Sequence, residues 1–374
     1  MSEGKKIPVF DIALGEKEKE YIKDCLDTSF IGQGKYVKTL EEKFSAFVDC
    51  KYGITTTSGT TALHLACATI GLKKDDEVLV SSSTNMACPF AIDYCGAIPI
   101  PIDIERDTWQ MDVTKIEEKI TKKTKAIMVV HLFGHPVDMD PVIKIAKKHK
   151  LKIIEDCAES HGVEYKGKKV GSIGDIAAFS FFANKTITCG EGGLVTTNST
   201  ELAEKAKSLK NLAYGKINKF MHDDIGFNYR LPNISAALGL GQFENINKVF
   251  EEKERIYKRY KSNLQNIKGI NIPVIRDWAT KYIMWVFNVY LDNKFPISRD
   301  ELTKKLKEKN IDTRDAFVPI NKQKILVDKY KKFKEDDCPN ANFIMDNGFY
   351  LPSGNTITNE DIDYVCDQIK EIAK

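Results

Sequence analysis

The sequence predicts an α/β protein built on a mainly parallel sheet, with a smaller α+β unit at its C-terminal end. Between about Thr55 and Thr197, short apolar runs of strand length alternate with segments of helical period, the pattern of strands joined by crossover helices. Past about Asn247 the texture changes to long charged helices around one alternating strand. The chain has 374 residues, more than the roughly 250–300 at which a single core stops growing. Two units are therefore expected, 1–247 with an N-terminal arm and 248–374.

In chain order, "SGTTALHLACATIG" reads as a helix whose N-terminus Ser58 can cap. "EVLVSSS" (Glu77–Ser83), "IPIPIDI" (Ile98–Ile104) and "KAIMVVHLFG" (Lys125–Gly134) read as strands. "DPVIKIAKKHK" reads as a helix opened by Asp140 and Pro141. The strand series ends with "LKIIEDCAE" (Leu151–Glu159), "AAFSFF" (Ala177–Phe182) and "GGLVTT" (Gly192–Thr197). In the second unit a charged helix, "FEEKERIYKRYKSNLQ", leads to the alternating strand "YIMWVFNVYLD", then to "SRDELTKKLKEKN" and a final helix from Glu360. The junction is a helix rather than a Pro/Gly linker, and no internal repeat is visible.

A net charge of only +3, with both signs interspersed, gives no field that would gather nucleic acid or an anionic membrane. The expected partner is a small molecule or another copy of the chain. "MSEGKKIPVF" lacks the apolar core of a signal peptide, and no run approaches the roughly 18 apolar residues of a membrane span. A cytoplasmic location is expected. The nine cysteines include no C-x-x-C pair and read as reduced, mostly buried small hydrophobes.

Three patterns carry less than they suggest. "GVEYKGKK" has the spacing of a phosphate-binding loop, but Lys169 stands where a Ser or Thr would hold magnesium, so a polar hairpin is the better reading. His131 and His135 in "HLFGH" have metal-like spacing at a strand end, off any helical face, and read as structural. No G-x-G-x-x-G follows a strand, which argues against a nicotinamide cofactor.

The chemistry is concentrated in "SFFANKTITCGEGG". Most lysines are solvated charges, yet Lys185 stands between an apolar strand and a run of glycines. In a parallel sheet, ligand groups collect beyond the carboxyl ends of strands, and Asp156, Ser180 and Lys185 all fall there. Asp156 by itself also reads as a capping aspartate. A lysine near a buried carboxylate, hydroxyls and glycines fits pyridoxal phosphate. The amine forms a Schiff base with the cofactor aldehyde, the carboxylate keeps the pyridine nitrogen protonated, and the phosphate seeks a helix N-terminus. Ser58, Gly59 and Thr60 offer such a terminus.

"TSGTTALHLA", "EDCAESHG", "SFFANKTITCGEGG", "GFNYRLPNISAALGLGQFE" and "FYLPSG", in this order, resemble the DegT/StrS family of sugar aminotransferases over essentially the whole chain. The resemblance implies the type I aminotransferase fold and a homodimer with shared active sites. It also implies that Lys185 is the Schiff-base lysine and that Asp156 faces the pyridine nitrogen. Glu159 would stand near the cofactor hydroxyl, with Gly59, Thr60 and Ser180 at the phosphate. Asn228 in "GFNYR" would reach the phosphate of the neighbouring subunit. The family's dehydratases carry histidine in place of the lysine, so aminotransfer is expected, with a sugar dehydratase or epimerase as the alternative. A non-catalytic regulator of this fold would need a DNA-binding module, and none is visible.

The match departs from the family pattern at two places. Where relatives stack an aromatic ring on the cofactor this chain has Asn85, so either Asn85 or a neighbour such as Met86 is expected to cover it. At about Asn321 relatives often carry a histidine. Both positions are expected to border the substrate side. The expected reaction moves an amino group from L-glutamate to the carbonyl of a nucleotide-linked keto-deoxysugar, or of a smaller phosphorylated keto-sugar, in surface-carbohydrate biosynthesis.

Overall fold

The computed structural model of the chain describes residues 6–215, 217–222 and 224–374. Its strands are β1 (Tyr52–Thr56), β2 (Glu77–Ser81), β3 (Ile98–Ile102), β4 (Thr124–Val130), β5 (Lys152–Asp156), β6 (Glu164–Tyr165), β7 (Lys168–Lys169), β8 (Ile176–Ser180) and β9 (Gly193–Thr197). Seven of these form one sheet in the order β1-β9-β8-β5-β4-β2-β3. The pairs from β3 through β8 are all parallel, and only β9 runs against its neighbours. The expected mainly parallel sheet is therefore present.

Helices cover both faces of the sheet: α1 (Glu16–Asp27), α2 (Lys35–Phe47), α3 (Gly59–Thr69), α4 (Ala87–Tyr94), α5 (Met139–His149), α6 (Thr200–Lys210) and α7 (Asn233–Glu244). Alternation along β8 shows why its run is apolar throughout. Ala177 and Phe179 join one core cluster, while Ile176 and Ala178 join the cluster on the opposite face. Burying a side chain such as Phe179 stabilises the layer by about 1.5–3 kcal/mol.

The C-terminal part of the chain opens with α8 (Ile246–Leu264) and carries a sheet in the order β10-β12-β14-β13. Its strands are β10 (Ile270–Asn271), β12 (Phe287–Leu291), β13 (Arg314–Asp315) and β14 (Gly348–Leu351), while β11 (Ala279–Lys281) adds to the hairpin of β6 and β7. Ile256, Tyr260, Phe287, Phe349 and Ile369 form its core. The N-terminal arm joins this core: Ile7 packs in it, the N–H of Ile7 donates to Asn310, and the N–H of Ser353 donates to the Val9 carbonyl.

Several sequence expectations need local correction. β1 is absent from the series read above, because its threonines look polar, yet Thr55 is buried with its hydroxyl on Glu41. α5 begins at Met139, with Asp138 at the cap position, so Asp140 and Pro141 lie inside its first turn. The carboxylate of Asp138 is taken by the Tyr165 hydroxyl instead of capping the helix. Only Phe287–Leu291 of "YIMWVFNVYLD" is strand. "GVEYKGKK" forms the hairpin β6–β7, with Lys166 and Gly167 at φ 47° and 80° in its turn.

Candidate active site

The carboxyl ends of β4, β5 and β8, together with the N-terminus of α3, open on one cavity of about 310 Å³. At its floor, Ser58 caps α3 by accepting the Thr61 N–H at 3.1 Å, and Thr61 Oγ1 accepts the Ser58 N–H in return. The N–H groups of Gly59 and Thr60 have no acceptor among the described residues, and both residues line the cavity. Gly59 is required there by close approach: a Cβ on it would lie 2.7 Å from Ser180 Cβ. The hydroxyl of Ser180 thus stands beside two unpaired N–H groups and the positive end of the helix dipole.

Asp156 ends β5 and is only 5% exposed. Its Oδ2 accepts the Cys88 thiol at 2.8 Å and its Oδ1 accepts the Ala158 N–H at 2.9 Å. It makes no ion pair among the described residues. A buried carboxylate served only by neutral donors attracts a cationic partner, and the cavity it faces supplies the room for one.

Lys185 follows β8 through a turn closed by its N–H on the Phe182 carbonyl. Its Nζ lies 3.2 Å from Glu159 Oε1 and 3.9 Å from the centre of the Trp285 ring. The other oxygen of Glu159 accepts the Phe133 N–H at 3.1 Å. Burial pushes the Glu159 carboxyl above its ordinary range, against the opposing pull of Lys185 and of the Phe133 N–H.

Asn85 is exposed at the cavity wall, with Oδ1 accepting the Ala87 N–H at 2.9 Å. Met86, its expected substitute, packs instead among the hydrophobic residues beneath. Asn228 does not line the cavity of its own chain; it is exposed, with Oδ1 accepting from Arg230 Nε at 2.9 Å. Asn321 is buried at 1% exposure and donates to Asn342 rather than bordering the cavity. The wall residue from that segment is Phe317.

The metal-like pair resolves into two buried histidines, each held by protein partners. His131 Nδ1 accepts the Val137 N–H and its Nε2 faces Glu155 at 3.0 Å. His131, Glu155 and Cys157 lie close enough together to suggest a metal site, but Glu155 already accepts from Gly171, Ile173 and Gly174 N–H groups as well. His135 accepts the Arg276 N–H at Nε2, and burial lowers its pKa to about 4.

Sequence reasoning did not assign roles to Cys88, Trp285 and Tyr350. Cys88 reads as one more buried thiol, and Trp285 and Tyr350 come from the C-terminal part of the chain, about 100 residues or more beyond Lys185. A tryptophan in an alternating run was the available signal for Trp285. Together the cavity holds an amine, an uncompensated buried carboxylate and a ready anion cradle, and these fit pyridoxal phosphate.

A model of the DegT/DnrJ/EryC1/StrS aminotransferase family matches residues 13–370. The chain is 41% identical to the GDP-perosamine synthase of Escherichia coli O157:H7, over 98% of each chain. It is 36% identical to the GDP-perosamine synthase of Caulobacter vibrioides, over 100% of each. Among solved structures, DesV of S. venezuelae superposes with a TM-score of 0.92 at 30% identity, covering 99% of both chains.

Proposed function

The chain belongs to the DegT/DnrJ/EryC1/StrS aminotransferase family, and from that premise we propose that it moves an amino group from L-glutamate to a sugar-type carbonyl in surface-carbohydrate biosynthesis. It is a pyridoxal-phosphate-dependent aminotransferase of the type I fold. Relatives named GDP-perosamine synthase favour a nucleotide-linked acceptor over a smaller phosphorylated keto-sugar.

The observation that carries the reading is the buried carboxylate of Asp156, without an ion pair among the described residues, on the same cavity as the Lys185 amine. Bound there, the cofactor supplies an aldehyde and an electron-accepting ring. Asp156 would hold a proton on the ring nitrogen. Gly59, Thr60 and Ser180 would bind the phosphate. Lys185 Nζ would anchor the cofactor and, once released, carry a proton between the reacting carbons. Glu159 would orient that amine, and Asn85 would lie toward the ring.

The same proposal includes a homodimer in which Asn228 serves the neighbouring site, a division near residue 247, and a cytoplasmic location. No helix among the described residues is long and apolar enough to cross a membrane.

Turnover with L-glutamate and a nucleotide-linked keto-deoxysugar should release 2-oxoglutarate in equal amount to the aminated sugar. A changed sugar without 2-oxoglutarate would mean dehydratase or epimerase chemistry. Borohydride reduction of the holoenzyme should leave the pyridoxyl mass on the peptide containing Lys185, and label on another lysine would remove that assignment.

A further inference from the structure

Lys253, on α8, is 5% exposed and forms no ion pair among the described residues. Its Nζ donates to the carbonyl of Trp285 at 3.0 Å and to that of Ser353 at 2.6 Å. Burial lowers its pKa to about 8, with Asp11 of the N-terminal arm opposing the shift. An ammonium held by two carbonyls alone is costly, so an apolar side chain would pack there more cheaply if filling space were the only task.

The two carbonyls belong to the segments that enter and leave the small sheet. Trp285 lies just before β12, and Ser353 lies just after β14 with its hydroxyl accepting the Phe287 N–H at 2.9 Å. Trp285 also reaches the site: its Nε1–H donates to the Asn184 carbonyl at 2.7 Å, and its ring lies against Lys185 Nζ at 3.9 Å. The tryptophan is thus fixed on its backbone side by Lys253 and on its indole side by the loop that carries Lys185.

We propose that Lys253 is a positioning residue for Lys185, acting through Trp285: it fixes the backbone from which the indole is held against the reacting amine. The inference rests on reading Lys185 as that amine. With the indole in place, its π face attracts the amine and confines Nζ between Trp285 and Glu159. Without it the amine is freer and more open to an acylating reagent.

The test uses the full chain free of cofactor, trace-labelled with acetic anhydride at fixed pH, with the acetylation rate of Lys185 read by mass spectrometry against surface lysines. Lys253→Met should raise that rate at least about threefold, the size of a lost cation–π contact, and Trp285→Leu should do the same. The double variant should be no faster than Trp285→Leu alone, because both act through one indole. An unchanged or lower rate in Lys253→Met, or effects that multiply in the double variant, would overturn the proposal. If Lys253→Met does not fold, Lys253→Gln, whose amide can serve only one of the carbonyls well, replaces it under the same criterion. Labelling reads Nζ itself, so this proposal can fail while borohydride mapping still places the cofactor on Lys185, and the reverse.

Discussion

The thiol of Cys88 donates to Oδ2 of Asp156 at 2.8 Å, while the Ala158 N–H holds Oδ1 at 2.9 Å. Asp156 therefore combines the two roles that its sequence position allows: one oxygen stabilises the turn after β5, and the other stands in a buried site with its charge uncompensated. Asp156→Asn keeps an oxygen for Ala158 but loses that charge. The variant should fold, as judged by circular dichroism, and lose transamination by several orders of magnitude, since a neutral amide does not hold a pyridinium proton. Near-normal turnover would leave only the turn-stabilising role.

Gly59 and Ser180 make a second test of the site, because the cradle depends on α3 approaching β8 closely. A Cβ at residue 59 would lie 2.8 Å from Ser180 Oγ and 2.7 Å from Ser180 Cβ. Overpacking of this kind costs about 1–3 kcal/mol and would part the two groups that face the phosphate. Gly59→Ala should bind cofactor at least about tenfold more weakly in equilibrium dialysis, equivalent to about 1.4 kcal/mol, with its fold retained. Unchanged affinity would place the phosphate elsewhere.

How far the sequence reveals this arrangement follows from the range of the contacts involved. β5 and β8 are adjacent, parallel and covered on both faces, so their apolar runs, Asp156 at the end of β5 and Lys185 shortly after β8 are legible locally. β1 is not, because Thr55 is made compatible with burial by Glu41 on α2 and Lys210 on α6. Trp285 meets Lys185 only through a contact between segments 100 residues apart in the chain. Asn321 shows the opposite failure: resemblance points it at the substrate, whereas the chain buries it against Asn342.

His161 provides a test by pH. It is fully buried among Phe44, Phe179 and Phe181, and neither ring nitrogen makes a well-formed hydrogen bond among the described residues. Burial and the nearby Lys185 charge lower its pKa to about 3, with the Ser180 backbone opposing. The unfolded chain therefore binds a proton near the ordinary histidine pKa of about 6.5 that the folded chain refuses. Stability should be independent of this group above that pH. It should fall on acidification, by up to about 1.4 kcal/mol per pH unit, until the folded pKa is reached. His161→Phe should flatten the slope measured by chemical denaturation between neutral and mildly acidic pH, with His135 and His64, whose pKa values burial also lowers, contributing to what remains. A slope equal to that of the parent chain would mean that His161 is protonated, or that it gains a partner in solution.

Asn228 tests whether the active unit is shared between subunits. The residue is exposed, and its Oδ1 is occupied by Arg230, leaving Nδ2 to donate outward. A charge-assisted bond from it to a phosphate of the neighbouring chain would be worth about 1.5–3 kcal/mol, so Asn228→Ala should retain cofactor roughly tenfold to a hundredfold less well. The sharper measurement mixes Asn228→Ala chains with Lys185→Ala chains. In such a heterodimer, the site built around the intact Lys185 belongs to the Asn228→Ala chain and faces a partner whose Asn228 is normal. If the asparagine acts across the interface, cofactor affinity at that site recovers to the parental value, while the other site carries both lesions and stays inactive. If it acts within its own chain, neither site has both residues intact and no recovery follows. A monomer by sedimentation, or heterodimers without recovery, would confine Asn228 to its own chain.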